Sequence, residues 1–242
     1  LLQPGTVRVI TARMNYLPSE EPPSLPADPR SAYIARYALG RDYHKTVRRR
    51  LVKLANRINS RVEGHFRAFT DSAPVLEKPL AEKAGIGWIG KNTLILTEDA
   101  GSMFFLGEIY TNIPLPPNAK PTIDQCGACK ACINVCPTGA LIGPKQLDAR
   151  KCISYLTIEN KGAIPLYLRE SIGNRVFGCD DCQLVCPWNR YATKAVEPDF
   201  IPRHQLDMAS LEELLVWDEA TFLTNTEGMA LRRINYQQWV RN

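Results

Sequence analysis

Residues 126–140, "CGACKACINVCPTGA", place four thiols within eleven residues, and Pro137 follows the last of them. Cys126, Cys129, Cys132 and Cys136 fit C-x2-C-x2-C-x3-C-P, the run by which bacterial ferredoxins ligate iron–sulfur cubes. A second set consists of Cys152, then Cys179, Cys182 and Cys186 with Pro187, and reads C-x2-C-x3-C-P with one ligand displaced. In such pairs three close cysteines wrap one cube, and the fourth, turned away before proline, serves the other. The spacing therefore assigns Cys126, Cys129, Cys132 and Cys186 to one 4Fe–4S cluster, and Cys136, Cys152, Cys179 and Cys182 to a second. Small or apolar neighbours (Gly127, Ala128, Ala131, Ile133, Val135, Val185) suit the dry shell of such clusters. Structural zinc is the competing occupant, but zinc favours paired C-x2-C knuckles around tetrahedral sites.

All eight cysteines fall between Cys126 and Cys186, with none in the first 125 or the last 56 residues. A secreted disulfide scaffold would be shorter and would spread its bridges. Confinement to one block points to metal ligation in a reducing compartment, hence a cytoplasmic protein. No apolar stretch approaches the ~18 residues of a membrane span. The chain opens at "LLQPGTVRVI" without Met and ends at "INYQQWVRN" in the manner of a helix interior, so it reads as part of a longer protein.

Upstream of the cysteines, "TVRVITARMNYL" has the β-branched alternation of a strand, and "HFRAF" reads as a short one. "PVLEKPLAEKAG" reads as a helix closed by Gly85, and "NTLIL" and "GSMFFLGEIYT" as two strands joined by the turn "TEDA". The Pro-rich stretches "PSEEPPSLPADPRS" and "PLPPNAKP" read as a loop and a linker. "SLEELLVWDEATFL" opens a helical section after the cysteines. The expected class is α+β. An α/β domain over residues 1–118 precedes a ferredoxin-like domain over 119–191 and a helical section over 192–242.

Charge is uneven. "RDYHKTVRRRLVKLANR" carries seven Lys/Arg against one Asp, while the whole chain is only +5. Val47, Leu51, Leu54 and Ile58 recur at spacings of one helical face. Lys45, Arg48, Arg49 and Arg50 then stand on the other sides. Either they form a solvated surface or they meet nucleic-acid phosphates, and the segment alone leaves both open.

Two clusters carry single electrons and cannot by themselves complete a two-electron reduction of an organic molecule. Either the chain serves a partner, or its α/β half holds a reactive centre. There is no G-x-G-x-x-G and no P-loop. "DYHKTV" begins like the D-x-H-x-x-G pattern that gives cobalamin a histidine ligand, but Val47 stands where Gly is required. Asp71 is an acid among apolar and small residues. It could cap the helix that follows, or act as a general acid whose pKa burial has raised. Three glycines in "AGIGWIG" permit close backbone approach to a ligand or tight packing at a turn.

The segments "RYALGRDYHK", "DSAPVLEKPLAEKAGIGWIGKNTLIL", "GSMFFLGE", "CGACKACINVCPTGA", "CISYLTIE" and "GNRVFGCDDCQLVCPWNR" together resemble the epoxyqueuosine reductase family over nearly the whole chain. The resemblance implies a cobalamin-dependent iron–sulfur enzyme that reduces epoxyqueuosine to queuosine at the tRNA wobble position. It implies a cobalamin-binding sandwich related to that of reductive dehalogenases, without a protein histidine on cobalt. It places the proton donor at Asp71 and cobalamin contacts at Ile95 and Leu106, with Tyr43, Asn92 and Ser154 as further candidates. It gives the basic helix a use on the tRNA anticodon loop and implies an external electron donor and a monomer. The sequence departs from the family at both ends, where helical portions are expected. The rival readings are a ferredoxin-like electron carrier and a small-molecule reductive dehalogenase relative.

Overall fold

A computed structural model describes residues 2–18, 28–71, 73–117 and 122–242. Most of the Pro-rich loop and the end of the linker, including the expected boundary at 118, lie outside the described residues.

The chain opens with strand β1 (Arg8–Asn15) and the short β2 (Tyr33–Ile34), followed by helix α1 (Tyr43–Asn59), β3 (Phe66–Phe69) and helix α2 (Glu77–Lys83). Strands β4 (Trp88–Ile89), β5 (Ile95–Leu96) and β6 (Phe104–Thr111) complete the first half. The central strand of the main sheet is β6, antiparallel to β1 on one side and β3 on the other. Its alternation decides what packs where. Phe105 and Ile109 face the large core that holds Val47 and Leu51 of α1. Phe104 and Leu106 face a small core with Ala81 of α2 and Ile95 of β5. Strand formation in "NTLIL" is limited to Ile95–Leu96, which pairs with β4 rather than β6.

The cysteine block holds α3 (Ala131–Val135), β7 (Leu141–Gly143), β8 (Gln146–Leu147), α4 (Ile153–Ile158), α5 (Leu166–Ile172), β9 (Arg175–Phe177) and α6 (Asp181–Leu184). The expected C-terminal helical section is α7 (Leu211–Leu215), α8 (Glu219–Asn225) and α9 (Tyr236–Arg241). A capping box at Ser210 and Glu213 starts α7, and Asp218 caps α8. The large core draws on all three stretches, from Tyr16 through Phe105 and Phe177 to Phe222 and Trp239.

A buried polar latch fixes the cysteine block to the sheet. Gln183 Nε2 donates to the Ser102 carbonyl (3.1 Å) and hydroxyl (3.0 Å). Asn189 Oδ1 accepts from the Ser102 N–H (2.6 Å), and its Nδ2 donates to the Gln183 carbonyl (2.6 Å). Gly101 makes this approach possible: its φ is +62°, and a Cβ there would sit 2.1 Å from Asn189 Oδ1. Gly101→Ala is therefore expected to cost about 2–4 kcal/mol from backbone strain and displaced packing, read as a lower denaturation midpoint at unchanged m-value.

Helix α1 corrects one expected detail. Its buried stripe is Tyr43, Thr46, Val47, Leu51 and Ala55, while Leu54 is 41% exposed. The stripe follows i, i+4 spacing, so Ala55 takes the inward place assigned to Leu54. Among the described residues no helix is long and apolar enough to cross a membrane.

Candidate functional site between the thiols and Asp71

The thiols ring two separate cavities. Cys126, Cys129, Cys132 and Cys186 line one of about 230 Å³. Cys136, Cys152, Cys179 and Cys182 line another of about 390 Å³. This is the partition that the spacing implies, with Cys136 and Cys186 each crossing to the other set. None of the eight forms a disulfide. Among the described residues no three Cys, His, Asp or Glu groups converge to hold a single ion, so the thiols surround spaces rather than points. Burial pushes the Cys179 and Cys182 thiols up. A cationic centre between them is what would keep such thiols as thiolates, and iron supplies that charge. Burial also raises Cys132 and Cys186 of the first set, but Gly127, Ala128 and Cys129 on its outer side are exposed.

Lys91 clamps the first loop through Nζ bonds to the Gly127 (2.5 Å) and Cys129 (2.8 Å) carbonyls. Asn92 lines both thiol cavities and donates to the Cys182 carbonyl at 3.3 Å. The glycines before it serve packing. A Cβ on Gly87 would lie 2.0 Å from the Leu96 carbonyl oxygen, and one on Gly90 2.5 Å from Leu96 Cδ1.

The second thiol cavity adjoins a further compartment, also of about 390 Å³, that is lined by Asp71. The two share Tyr43, Lys78, Leu94, Ser102, Phe104 and Phe105 as lining. Ile95 and Leu106 face the Asp71 compartment, Ser154 faces the thiol compartment, and Tyr43 faces both. The five residues expected to touch a cofactor thus come together from α1, the β4–β5 turn, β5, β6 and α4. Tyr43 stacks on Phe105 with centroids 4.1 Å apart and planes within 3°. Burial holds the Lys78 ammonium below its usual range.

Asp71 does not cap α2, whose N-cap is Leu76 with no side-chain bond. It has a left-handed backbone (φ 49°), and its side chain is 56% exposed. Tyr43 Oη donates to Asp71 Oδ2, and His44 Nε2 lies 3.3 Å from the same oxygen. His44 Nδ1 is 2.7 Å from Asp42 Oδ1, so the imidazole bridges two carboxylates. Those partners push His44 up to about 9. The same contacts, His44 first, hold the Asp71 carboxyl below its usual range. This corrects the expected raised acid: Asp71 is too exposed and too well paired for desolvation to win, and the group raised by the pairing is His44. The Asp42–His44 contact is local to α1, whereas only the fold reveals that His44 faces Asp71.

Behind Asp71 lies a carboxyl pair that the sequence reading missed. The Asp71 N–H donates to Glu77 Oε1 at 2.6 Å, and Glu77 meets Glu108 of β6. Glu108 is 0% exposed, and burial first, then Glu77, push it up to about 8. Its signal was a charged residue at an inward strand position in "FFLGEIYT".

The basic helix is partly committed to the protein itself. Arg49 Nη2 reaches Asp199 Oδ2 at 2.8 Å, and Arg50 binds the buried Glu197 through two nitrogens. Lys45 and Arg48 are exposed.

Two family models match this chain. One, described as epoxyqueuosine reductase QueG, DUF1730, covers residues 1–72, and a 4Fe-4S double cluster binding domain covers 125–189. The chain is 60% identical over its whole length to the epoxyqueuosine reductase of Pseudomonas aeruginosa, of which it covers 67%. It is 57% identical to that of Vibrio cholerae (66% covered) and 56% identical to that of Escherichia coli K12 (64% covered). It therefore spans about two thirds of the length of these curated relatives. An epoxyqueuosine reductase crystal structure holding a tRNA-Tyr epoxyqueuosine-modified stem loop matches 95% of this chain with a TM-score of 0.84 and 33% identity. That match covers 61% of the crystallised chain. The Bacillus subtilis enzyme, seen with an aspartate-bearing catalytic loop swung out of its active site, matches 95% of this chain and 61% of its own with a TM-score of 0.83 and 34% identity. With a double-cluster segment beside one cavity, an acid beside the adjoining one and this degree of likeness, the chain belongs to the epoxyqueuosine reductase family.

Proposed function

We propose that this chain carries the catalytic core for reducing epoxyqueuosine to queuosine at the tRNA wobble position. The observation that carries the proposal is the pair of adjoining cavities, one lined by the Cys136, Cys152, Cys179 and Cys182 thiols and the other by Asp71, that share six wall residues. Removing the epoxide oxygen as water takes two electrons and two protons and leaves a C=C bond. The eight cysteines would hold two 4Fe–4S clusters as partitioned above. The aromatic and aliphatic walls of the adjoining compartments suit the face of a large macrocycle, and their polar side chains suit an amide-bearing rim; Tyr43, Asn92, Ile95, Leu106 and Ser154 would hold cobalamin there. When bound, cobalamin supplies the two-electron reducing chemistry.

The chain's own residues handle the proton and the geometry. His44 keeps a proton through neutral pH and shares it with Asp71, which delivers it to the departing oxygen. Tyr43 Oη holds the Asp71 carboxyl at the cavity mouth, and Phe105 braces Tyr43 from behind. Asp42 fixes the His44 ring so that Nε2 faces Asp71. The electron donor is a separate reductant, and the protein works in the cytoplasm as a monomer.

For tRNA, Lys45 and Arg48 are the two of the four candidate residues best placed to meet phosphates, because Arg49 and Arg50 already bind acids. Arg48→Ala should weaken tRNA binding and lower the slope of log K against log salt by about one. Arg50→Ala should leave that slope unchanged and cost about 1–3 kcal/mol of stability, because Glu197 loses its partner. Equal effects of both on the salt slope would show that the ion pairs do not bias this face.

The function itself is tested by anaerobic reconstitution with iron, sulfide and cobalamin, followed by assay on tRNA bearing epoxyqueuosine. Queuosine should form. Cluster absorbance without cobalt binding or turnover would instead mark a ferredoxin-like carrier, and turnover of halogenated small molecules with tRNA untouched would mark a dehalogenase relative.

A further inference from the structure

Glu108 has no place in the chemistry above, yet its side chain is shut away from solvent beside it. It lies in the middle of β6, opposite Thr11 of β1 and Phe69 of β3, neither of which titrates. Among the described residues no donor reaches either of its carboxyl oxygens. Its polar neighbour is another carboxyl, Glu77 of α2. Two bare carboxylates in contact and out of water repel each other, so such a pair keeps one proton between its members. Glu77 in turn accepts the Asp71 main-chain N–H at 2.6 Å, just where Asp71 adopts its left-handed backbone.

We propose that Glu108 is a positioning residue that donates a retained proton to Glu77, and so keeps Glu77 in place to hold the Asp71 main chain at the cavity. The proposal rests on the reading of Asp71 as the residue that delivers the proton. Glu108 does not itself line the cavity and acts only through Glu77, which does. With the proton present, Glu77 is a carboxylate anchored from behind and free to accept from Asp71. Without it, Glu77 is repelled from Glu108 and the N–H of a strained residue loses its acceptor.

The charged and titratable groups around the pair are few. Lys78 stands beside Glu77 on α2, Asp71 and His44 lie on the cavity side from the loop and α1, and Tyr110 follows on β6. Lys78 and His44 favour a charged Glu77, which leaves the proton on Glu108. The shared proton is lost as pH rises through about 8, where Glu108 titrates.

Two readouts test this, one of them independent of turnover. Infrared difference spectra of the reconstituted protein should show a protonated-carboxyl C=O band at pH 7 that disappears above about pH 8. The band should be absent in Glu108→Gln and kept in Asp71→Asn. In the tRNA assay, turnover should fall about tenfold per pH unit on the alkaline side. Glu108→Gln, whose amide still donates to Glu77, should match wild type at pH 7 and shift that limb upward. Glu108→Ala should turn over at least about tenfold more slowly at pH 7, with unchanged iron content, and this gap should close on the alkaline side. Should the alanine variant fail to fold, the glutamine variant decides. No protonated carboxyl assignable to Glu108 at pH 7, or an alkaline limb unmoved in Glu108→Gln, would overturn the proposal. A fully active Asp71→Asn protein that retained the band would overturn the role of Asp71 and the positioning role with it, but not the shared proton.

Discussion

Replacing Cys136 with serine should remove the cluster beside the cavity, although Cys136 belongs by sequence to the other set. It lies in the first run of thiols, four residues after Cys132, yet it lines the space with Cys152, Cys179 and Cys182. Cys186 does the opposite, ending the second run and facing Cys126, Cys129 and Cys132. If the geometry governs ligation, Cys136→Ser loses half of the iron. Adding Cys179→Ser to it then removes no more, because both serve one cluster. Adding Cys129→Ser removes the remainder. The opposite pattern, further loss with Cys179→Ser and none with Cys129→Ser, would return Cys136 to its sequence neighbours. Turnover should vanish in every variant that lacks Cys136, since its cavity is the one that adjoins the Asp71 compartment.

The second large effect belongs to Asp71. Asp71→Asn keeps the shape and the Tyr43 bond but cannot pass a proton, so turnover should drop by about 10²–10⁴-fold with iron content unchanged. Full activity in that variant would remove Asp71 from the mechanism. On the proposed mechanism, His44 would make this chemistry pH-dependent. Its pKa in the folded chain, about 9, lies above the ordinary histidine value of 6.5. The stabilisation from its pairing with Asp42 and Asp71 is therefore complete below about pH 6.5 and is lost as pH rises through about 9. Thermal unfolding midpoints should decline across that window, and the decline should be smaller in His44→Gln.

The grouping of the thiols around two cavities was legible in the sequence because the ferredoxin run itself turns its last cysteine, before proline, toward the other set. The main strands were legible for a similar reason, since β1 and β6 alternate over eight residues each. The state of Asp71 was not legible. Its surroundings in sequence are apolar and small, which suggested a buried acid, but its partners Tyr43 and His44 come from a helix 28 and 27 residues earlier. The arginines of α1 illustrate the same limit. A run of three looks like one basic surface, whereas Asp199 and Glu197, about 150 residues away, take two of them. Leu54 was misplaced because a helical face accepts more than one register, and the sheet it meets chooses Ala55. Glu108 was visible as a lone charge in an apolar strand, but its meaning depends on Glu77, which arrives from α2.

The most direct test of a connected path from thiols to Asp71 is an electron count. The reconstituted protein, with clusters and cobalamin in place, is reduced stoichiometrically without oxygen and mixed with tRNA bearing epoxyqueuosine. Cluster reoxidation is followed by absorbance, and the wobble nucleoside is analysed by mass spectrometry. The path predicts two electrons drawn from the protein for each nucleoside that loses its oxygen, and no coupled loss in Cys136→Ser. Cluster reoxidation with the nucleoside unchanged, or conversion that draws no electrons from the clusters, would contradict it.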